Sequence, residues 1–167
     1  MTLLVPMRPE VFEEVIATSI ADYAQDNVAV GRWPAENALE RSRSEFESLL
    51  PQGLATPDNH WLEMRASEVG PPIGHLWFAV QERYGRRTAF VYNVEVRPEY
   101  RRQGHARRAF EALESLAGEM GVVSIGLHVF GFNTAAQALY RALGYTVTGI
   151  NMNKDLGGPP GGPAAPA

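Results

Sequence analysis

Read as a pattern of apolar and polar positions, the chain switches repeatedly between a period of two and a period near 3.6. Thr2 to Met7 is a short apolar run of strand type. Pro9 occupies a first helical position, and Val11, Phe12, Val15, Ile16, Ser19, Ile20 and Tyr23 follow at helical spacing. Gly31-Arg32-Trp33 breaks that helix. Pro34 starts another, with Ala38, Leu39, Ser42, Phe46 and Leu49 along one face. Leu50 to Asn59, with two prolines and a glycine, is expected to be a loop.

Strand patterns follow at His60 to Ala66, Ile73 to Arg83 and Thr88 to Val96, joined by turns at 68–72 and 84–87. Gly104 opens an amphipathic helix that runs to about Met120. Val122 to Phe130 is a further strand, Asn133 to Leu143 a further helix stopped by Gly144, and Tyr145 to Lys154 a final strand. The order is β-α-α-β-β-β-α-β-α-β. The hairpins come first and a strand–helix–strand crossover comes later. The pattern therefore predicts an α/β fold of α+β type: a mixed, mostly antiparallel central sheet with helices on both faces. A single domain is expected over 1–156, with its ligand at the C-terminal ends of the strands around the crossover. Residues 157–167 are only Gly, Pro and Ala and are expected to form a disordered tail.

Composition narrows this picture. At 167 residues and 45% hydrophobic, the chain has the size and apolar content of one packed domain. It has no cysteine, which excludes a disulfide framework, a thiolate metal site and a cysteine nucleophile. The N-terminal apolar run is too short for a signal peptide and no window has the length of a membrane span, so the expectation is a soluble, cytoplasmic protein without a membrane partner. The net charge is −4, unevenly spread. Residues 97–108 hold five arginines against Glu99, whereas residues 1–60 hold four arginines against ten acids. One compact basic patch on an acidic body suits a small phosphorylated ligand and not a nucleic-acid track. The acidic first third is either a set of solvated helix faces or an attractor for a cationic substrate.

The patch centres on Arg101-Arg102-Gln103-Gly104-His105-Ala106, where a strand feeds a glycine-bearing turn into a helix. The first N–H groups of such a helix lack partners, and the helix dipole adds to their pull on an anion. Flanking arginines suit phosphate, so the expected ligand carries a pyrophosphate.

Arg101-x-x-Gly104-x-Ala106 resembles the Gln/Arg-x-x-Gly-x-Gly/Ala signature of the GNAT superfamily of acyl-CoA-dependent N-acetyltransferases. Asn133-x-x-Ala136-x-x-Leu139-Tyr140-x-x-x-Gly144-Tyr145 resembles the family's second block. Ala106 stands where the family more often has glycine. The strong resemblance spans about residues 88–153, and the element order extends it back to residue 3. The resemblance implies acetyl-CoA as co-substrate, no metal and an amine acceptor, either a small molecule or a peptide or protein amine. Relatives often dimerise, which leaves a homodimer open.

By that resemblance, the amides of Gln103, Gly104, His105 and Ala106, with Arg101 and Arg102, hold the CoA diphosphate. Arg107 and Arg108 either reach a further phosphate or decorate the helix. Val94-Glu95-Val96 stands where the family carries a strand bulge, whose free amide polarises the thioester carbonyl. Asn133 contacts the pantetheine arm and equally suits a helix N-cap. Tyr140 matches the tyrosine that protonates the departing thiolate. The base is less defined. Where some relatives place a glutamate, the corresponding inward position carries Phe90, Tyr92 or Asn93, depending on the relative. Asn93 remains a candidate catalytic group and Glu95 a substitute base or a solvent-facing strand residue. His128 lies on the small, polar face of its strand with Ser124 and Gly126, as a proton relay or as a structural histidine. The acceptor pocket falls to 26–33, 58–61, His75 and Trp77, with Asp26, Asp58 and Asn93 as candidates to hold an ammonium. The reading is an N-acetyltransferase working by direct attack in a ternary complex. The alternative is a non-catalytic acyl-CoA-binding sensor or interaction module on the same fold.

Overall fold

The computed structural model describes residues 1–154 and 156. It divides into two compact units, Met1–Phe130 and Gly131–Ala167. The Gly/Pro/Ala tail expected over 157–167 lies outside the described residues.

The first unit contains strands β1 (Leu3–Pro6), β2 (Asn59–Arg65), β3 (Gly74–Arg83), β4 (Arg86–Val96) and β5 (Ser124–Leu127), with helices α1 (Pro9–Ala29), α2 (Ala38–Leu49) and α3 (His105–Glu119). The five strands form one sheet in sequence order. The first four pair antiparallel, as short connections dictate, and β5 joins β4 in parallel after the α3 crossover. The fold is thus mixed α/β with a mostly antiparallel open sheet. No helix of the described residues is long and apolar enough to cross a membrane.

Strand alternation sorts the core into two layers. On one face Trp61 and Trp77 meet Val11, Phe12 and Ile20 of α1 and Phe46 of α2. On the other, Met64, Leu76 and Phe78 are fully buried, as are Phe110 and Leu113 of α3, a helix that touches β1 and β4. An aromatic row crosses the first face. Trp61 stacks on Trp77 at 4.7 Å, Trp77 on Tyr92 at 4.6 Å, and Phe90 meets Tyr92 edge-on at 4.9 Å. Trp61 and Trp77 are therefore core. So is Trp33, packed in a satellite cluster with Ala24 and Ala38.

Four boundaries differ from the sequence expectation. The helix predicted to restart at Pro34 begins at Ala38, after Asn37 in a left-handed conformation (φ 62°). The expected loop over Leu50 to Asn59 contains a turn of 3₁₀ helix at Gly53–Ala55. β5 is shorter than Val122 to Phe130, because the Val122 N–H closes the end of α3 on the Ala117 carbonyl at 3.0 Å. The final strand expected over Tyr145 to Lys154 is absent: the described residues there join no ladder, and Val147, Ile150 and Met152 are exposed. Strand propensity by itself does not make a ladder.

The second unit contains one helix, α4 (Thr134–Ala142). The Asn133 side chain accepts from the Ala136 N–H at 3.1 Å, which is the N-cap role expected of it. The chain leaves α4 through Gly144, whose N–H bonds the Arg141 carbonyl.

Candidate active site

The second half of β4 departs from a regular ladder. Trp77 of β3 pairs with Asn93, but its neighbour Phe78 pairs with Val91, so Tyr92 is an extra residue. This bulge falls at Tyr92, not at the Val94–Val96 strand end expected from the sequence. Its effect is to put two consecutive side chains on one face. Tyr92 stacks on Trp77, while the Asn93 Nδ2 donates to the Ser19 hydroxyl of α1 at 2.8 Å.

The bulge also marks where β4 and β5 part. Their register ends at Val91 against Leu127. Beyond it, hydrogen bonding on the β3 side alternates. The Arg97 N–H bonds the Ile73 carbonyl at 2.8 Å, which puts Glu95 and Asn93 in the bonded positions opposite β3. Val94 and Val96 therefore turn their N–H and C=O groups to the other edge, where no β5 residue stands in register. Arg101 Nε takes the Val96 carbonyl at 2.7 Å. The Val94 N–H and C=O and the Val96 N–H remain directed at that edge, a template for an extended amide-bearing chain.

Past Val96, a 3₁₀ turn (Pro98–Tyr100) leads into the arginine loop. Arg102 and Gly104 both have left-handed backbones, with φ of 63° and 78°. Such alternation turns successive amides toward one concavity. Gly104 is the N-cap of α3 and supplies no side chain to cap it; the first helical bond is Arg108 N–H to the Gly104 carbonyl. The N–H groups of His105, Ala106 and Arg107 thus precede the helical ladder. Arg101, Arg102 and Gln103 are exposed beside them, and Gln103 Nε2 donates to the Glu99 carbonyl. The His105 side chain points away, buried against Thr2.

On the α1 face, a cleft of about 220 Å³ lies beside the end of β4, lined by Val11, Glu14, Val15 and Thr18 of α1 and by Gly74, His75, Glu95 and Arg97. Gly74 lets β3 approach this closely, since a Cβ there would fall on the Glu95 carbonyl oxygen. His75 is 6% exposed. Burial drives its imidazole down to about 4, against a hydrogen bond from the ring to Asn93, so the ring is neutral near pH 7. Its Nε2 has no partner among the described residues. Glu95 moves the other way. Burial and then the Asp22 carboxylate raise it, opposed by Arg101 and Arg97. Sequence reasoning left Glu95 divided between base and surface residue. It lies in the cleft, and its distinguishing signal is the register that sets it opposite His75.

The other expected site residues scatter. His128 follows the last paired residue of β5, exposed, with its ring edge-on to Phe130 at 5.1 Å. Asp26 is partly buried on α1, and Asp58 sits in a turn with its carbonyl on the Val80 N–H. Arg108 is a loop brace, its Nη2 on the Gln103 carbonyl. In the second unit, Tyr140 is buried, and burial pushes its phenol up.

The chain is 34% identical over 154 residues to the uncharacterised N-acetyltransferase YycN of Bacillus subtilis (strain 168), covering 92% of this chain and 98% of that one. It is 31% identical over 150 residues to a second N-acetyltransferase of that strain, YdgE, covering 90% and 95%. The crystal structure of YycN matches the fold with a TM-score of 0.89 at 33% identity, over 93% of this chain and 99% of that one. The likeness runs along nearly the whole length of both relatives. The sequence model of the Acetyltransferase (GNAT) family matches residues 24–145, and the chain belongs to that family.

Proposed function

We propose that residues 1–156 act as one domain that transfers the acetyl group of acetyl-CoA to a primary amine by direct attack in a ternary complex. The observation that carries this reading is the succession of two features along one short stretch. The open backbone edge at Val94–Val96 is followed directly by the amides ahead of α3. A pantetheine arm bears amides that can pair with the first, and its diphosphate is an anion for the second.

In this reading the Gln103 to Ala106 amides hold the diphosphate, with Arg101 and Arg102 beside them, and Val94 and Val96 hold the pantetheine and polarise the thioester carbonyl. Asn133 and Tyr140 take their roles from the motif, with Tyr140 giving its phenolic proton to the leaving sulfur. An alkylammonium must lose a proton before it attacks. Glu95, raised by burial, is the proton acceptor, directly or through water, with Asn93 orienting His75 beside it and His128 as a relay at the parting of β4 and β5. The amine nitrogen then bonds the carbonyl carbon, the C–S bond breaks as Tyr140 protonates the sulfur, and the second nitrogen proton passes through water to the Tyr140 oxygen. An N-substituted acetamide and CoA thiol result. Glu14 and Glu95 outnumber Arg97 in the cleft lining, a balance that favours an acceptor arriving as a cation.

The test is release of CoA thiol from acetyl-CoA with polyamines, amino sugars and peptides as acceptors. Turnover with a cationic amine is expected, and Tyr140→Phe should lower kcat on the order of 10²-fold while leaving acetyl-CoA affinity intact. CoA binding with no turnover on any amine would instead support the non-catalytic module.

A further inference from the structure

The loop ahead of α3 is held by side chains of that helix together with one from the residue before β1. Arg108, one turn into the helix, folds back beneath it. Its Nη2 donates to the Gln103 carbonyl at 2.9 Å and its Nε to the Thr2 hydroxyl at 3.0 Å. The Thr2 Oγ1 lies 2.9 Å from His105 Nδ1, and Arg108 Nη2 lies 3.3 Å from that same nitrogen. A guanidinium only donates, so Nδ1 is an acceptor and the neutral ring carries its proton on Nε2. Thr2 consequently accepts from Arg108 and donates to His105. Thr2 and His105 are 9% and 8% exposed, so water cannot readily replace either partner. The guanidinium also fills the space under Gly104, where an added Cβ would come within 2.9 Å of Nη1.

We propose that Thr2 is a positioning residue for the diphosphate of acetyl-CoA, its hydroxyl closing the Arg108–His105 network that holds the Gln103–Ala106 amides in their anion-receiving arrangement. The inference rests on the functional reading above and goes beyond it. It ties donor affinity to the residue just before β1, far in sequence from both family motifs. Replacing the hydroxyl by a methyl leaves Arg108 Nε without its acceptor and His105 Nδ1 without its hydroxyl donor, in a partly buried site. The guanidinium then loses its seat under the loop. Thr2 touches no reacting atom, so the chemical step is untouched.

The experiment compares wild type, Thr2→Val and Thr2→Ser with two acetyl donors, acetyl-CoA and S-acetylpantetheine, which lacks the diphosphate. Thr2→Val should raise the KM for acetyl-CoA about tenfold, the effect of one lost buried hydrogen bond, with kcat within about twofold. The KM for S-acetylpantetheine should stay unchanged, and Thr2→Ser should restore wild-type behaviour. If Thr2→Val does not fold, Arg108→Lys, which keeps the charge and removes the fork, must show the same split between donors. An unchanged KM for acetyl-CoA, or equal loss with both donors, overturns the proposal. Direct titration with CoA separates the two levels. A wild-type chain with no affinity for CoA overturns the functional reading and this inference with it, whereas binding that ignores Thr2 overturns only the inference.

Discussion

His75 and Glu95 stand directly opposite each other across the β3–β4 ladder, and burial pushes their proton affinities in opposite directions. Both shifts disfavour charge, as desolvation must: the imidazole prefers to be neutral and the carboxylate holds a proton more tightly. On its other side His75 pairs in register with Glu63. That carboxylate is fully buried, but Arg8 and Arg65 satisfy it, at 2.9 and 2.6 Å, and hold it below the usual carboxylate range against its own desolvation. One row across three strands thus carries a sealed carboxylate, a neutral imidazole and a cleft carboxylate of raised proton affinity. Only the last combines access with basicity.

Glu95→Gln tests that assignment. A positioned base contributes about 10²–10⁴-fold, and water can take over part of its role, so a loss of kcat on the order of 10²-fold is expected with the KM for acetyl-CoA little changed. The direction of the Glu95 shift sets the pH dependence. The carboxylate must be deprotonated to work, so wild-type kcat should fall on the acid side at a pH above the ordinary carboxylate value of 4.5. That limb should vanish in Glu95→Gln. Retention of both the rate and the limb would remove Glu95 as the base.

Gly104→Ala probes the anion loop from the backbone. The position has φ of 78°, where a side chain costs roughly 1–2 kcal/mol, and the new Cβ would press on Arg108 Nη1. Both effects fall on the loop and neither on the reacting atoms. A five- to tenfold rise in the KM for acetyl-CoA at unchanged kcat is expected from about 1 kcal/mol lost in binding. An unaltered KM would mean that the Gln103–Ala106 amides do not grip the donor.

What could be read in the sequence was whatever is settled within one turn or one helix. Gly104 opening α3 and Asn133 capping α4 involve neighbours three or four residues away, so composition and order reveal them. The bulge at Tyr92 does not work that way. It exists only because Trp77 and Phe78, on another strand, accept partners two residues apart, and the sequence reading put it at Val94–Val96. The pairing of His75 with Glu95 is likewise a matter of register, as is the commitment of Arg108 to Thr2. Tyr145 to Lys154 shows the converse error: a run with strand composition forms no strand among the described residues, because composition does not supply an edge. The two blocks are therefore legible along the sequence, whereas partners set by register are not.

The burial of His75 has a consequence for stability that needs no substrate. Its imidazole falls from the ordinary 6.5 to about 4 in the folded chain. Glu63 and Glu95 stand opposite it on the neighbouring strands, Glu14 shares its cleft, Arg97 is the nearby cation, and Asp22 acts on Glu95. Between those two pH values the unfolded chain carries a proton at this position and the folded chain does not, so folding stability rises with pH across that window. The contribution is fully present above about 6.5 and is lost as pH falls toward about 4, amounting to at most about 3 kcal/mol. His75→Gln, which cannot titrate and can still hydrogen-bond Asn93, removes this term while leaving the surrounding carboxylates in place. Urea unfolding of both proteins, measured from about pH 7.5 down to about pH 4.5, should show wild type losing stability more steeply than the variant. The gap between them should open below about 6.5, where the unfolded imidazole begins to take up its proton. Parallel curves for the two proteins would mean that His75 is protonated at little cost in the native state, and that the imidazole beside Glu95 is not the neutral group described above.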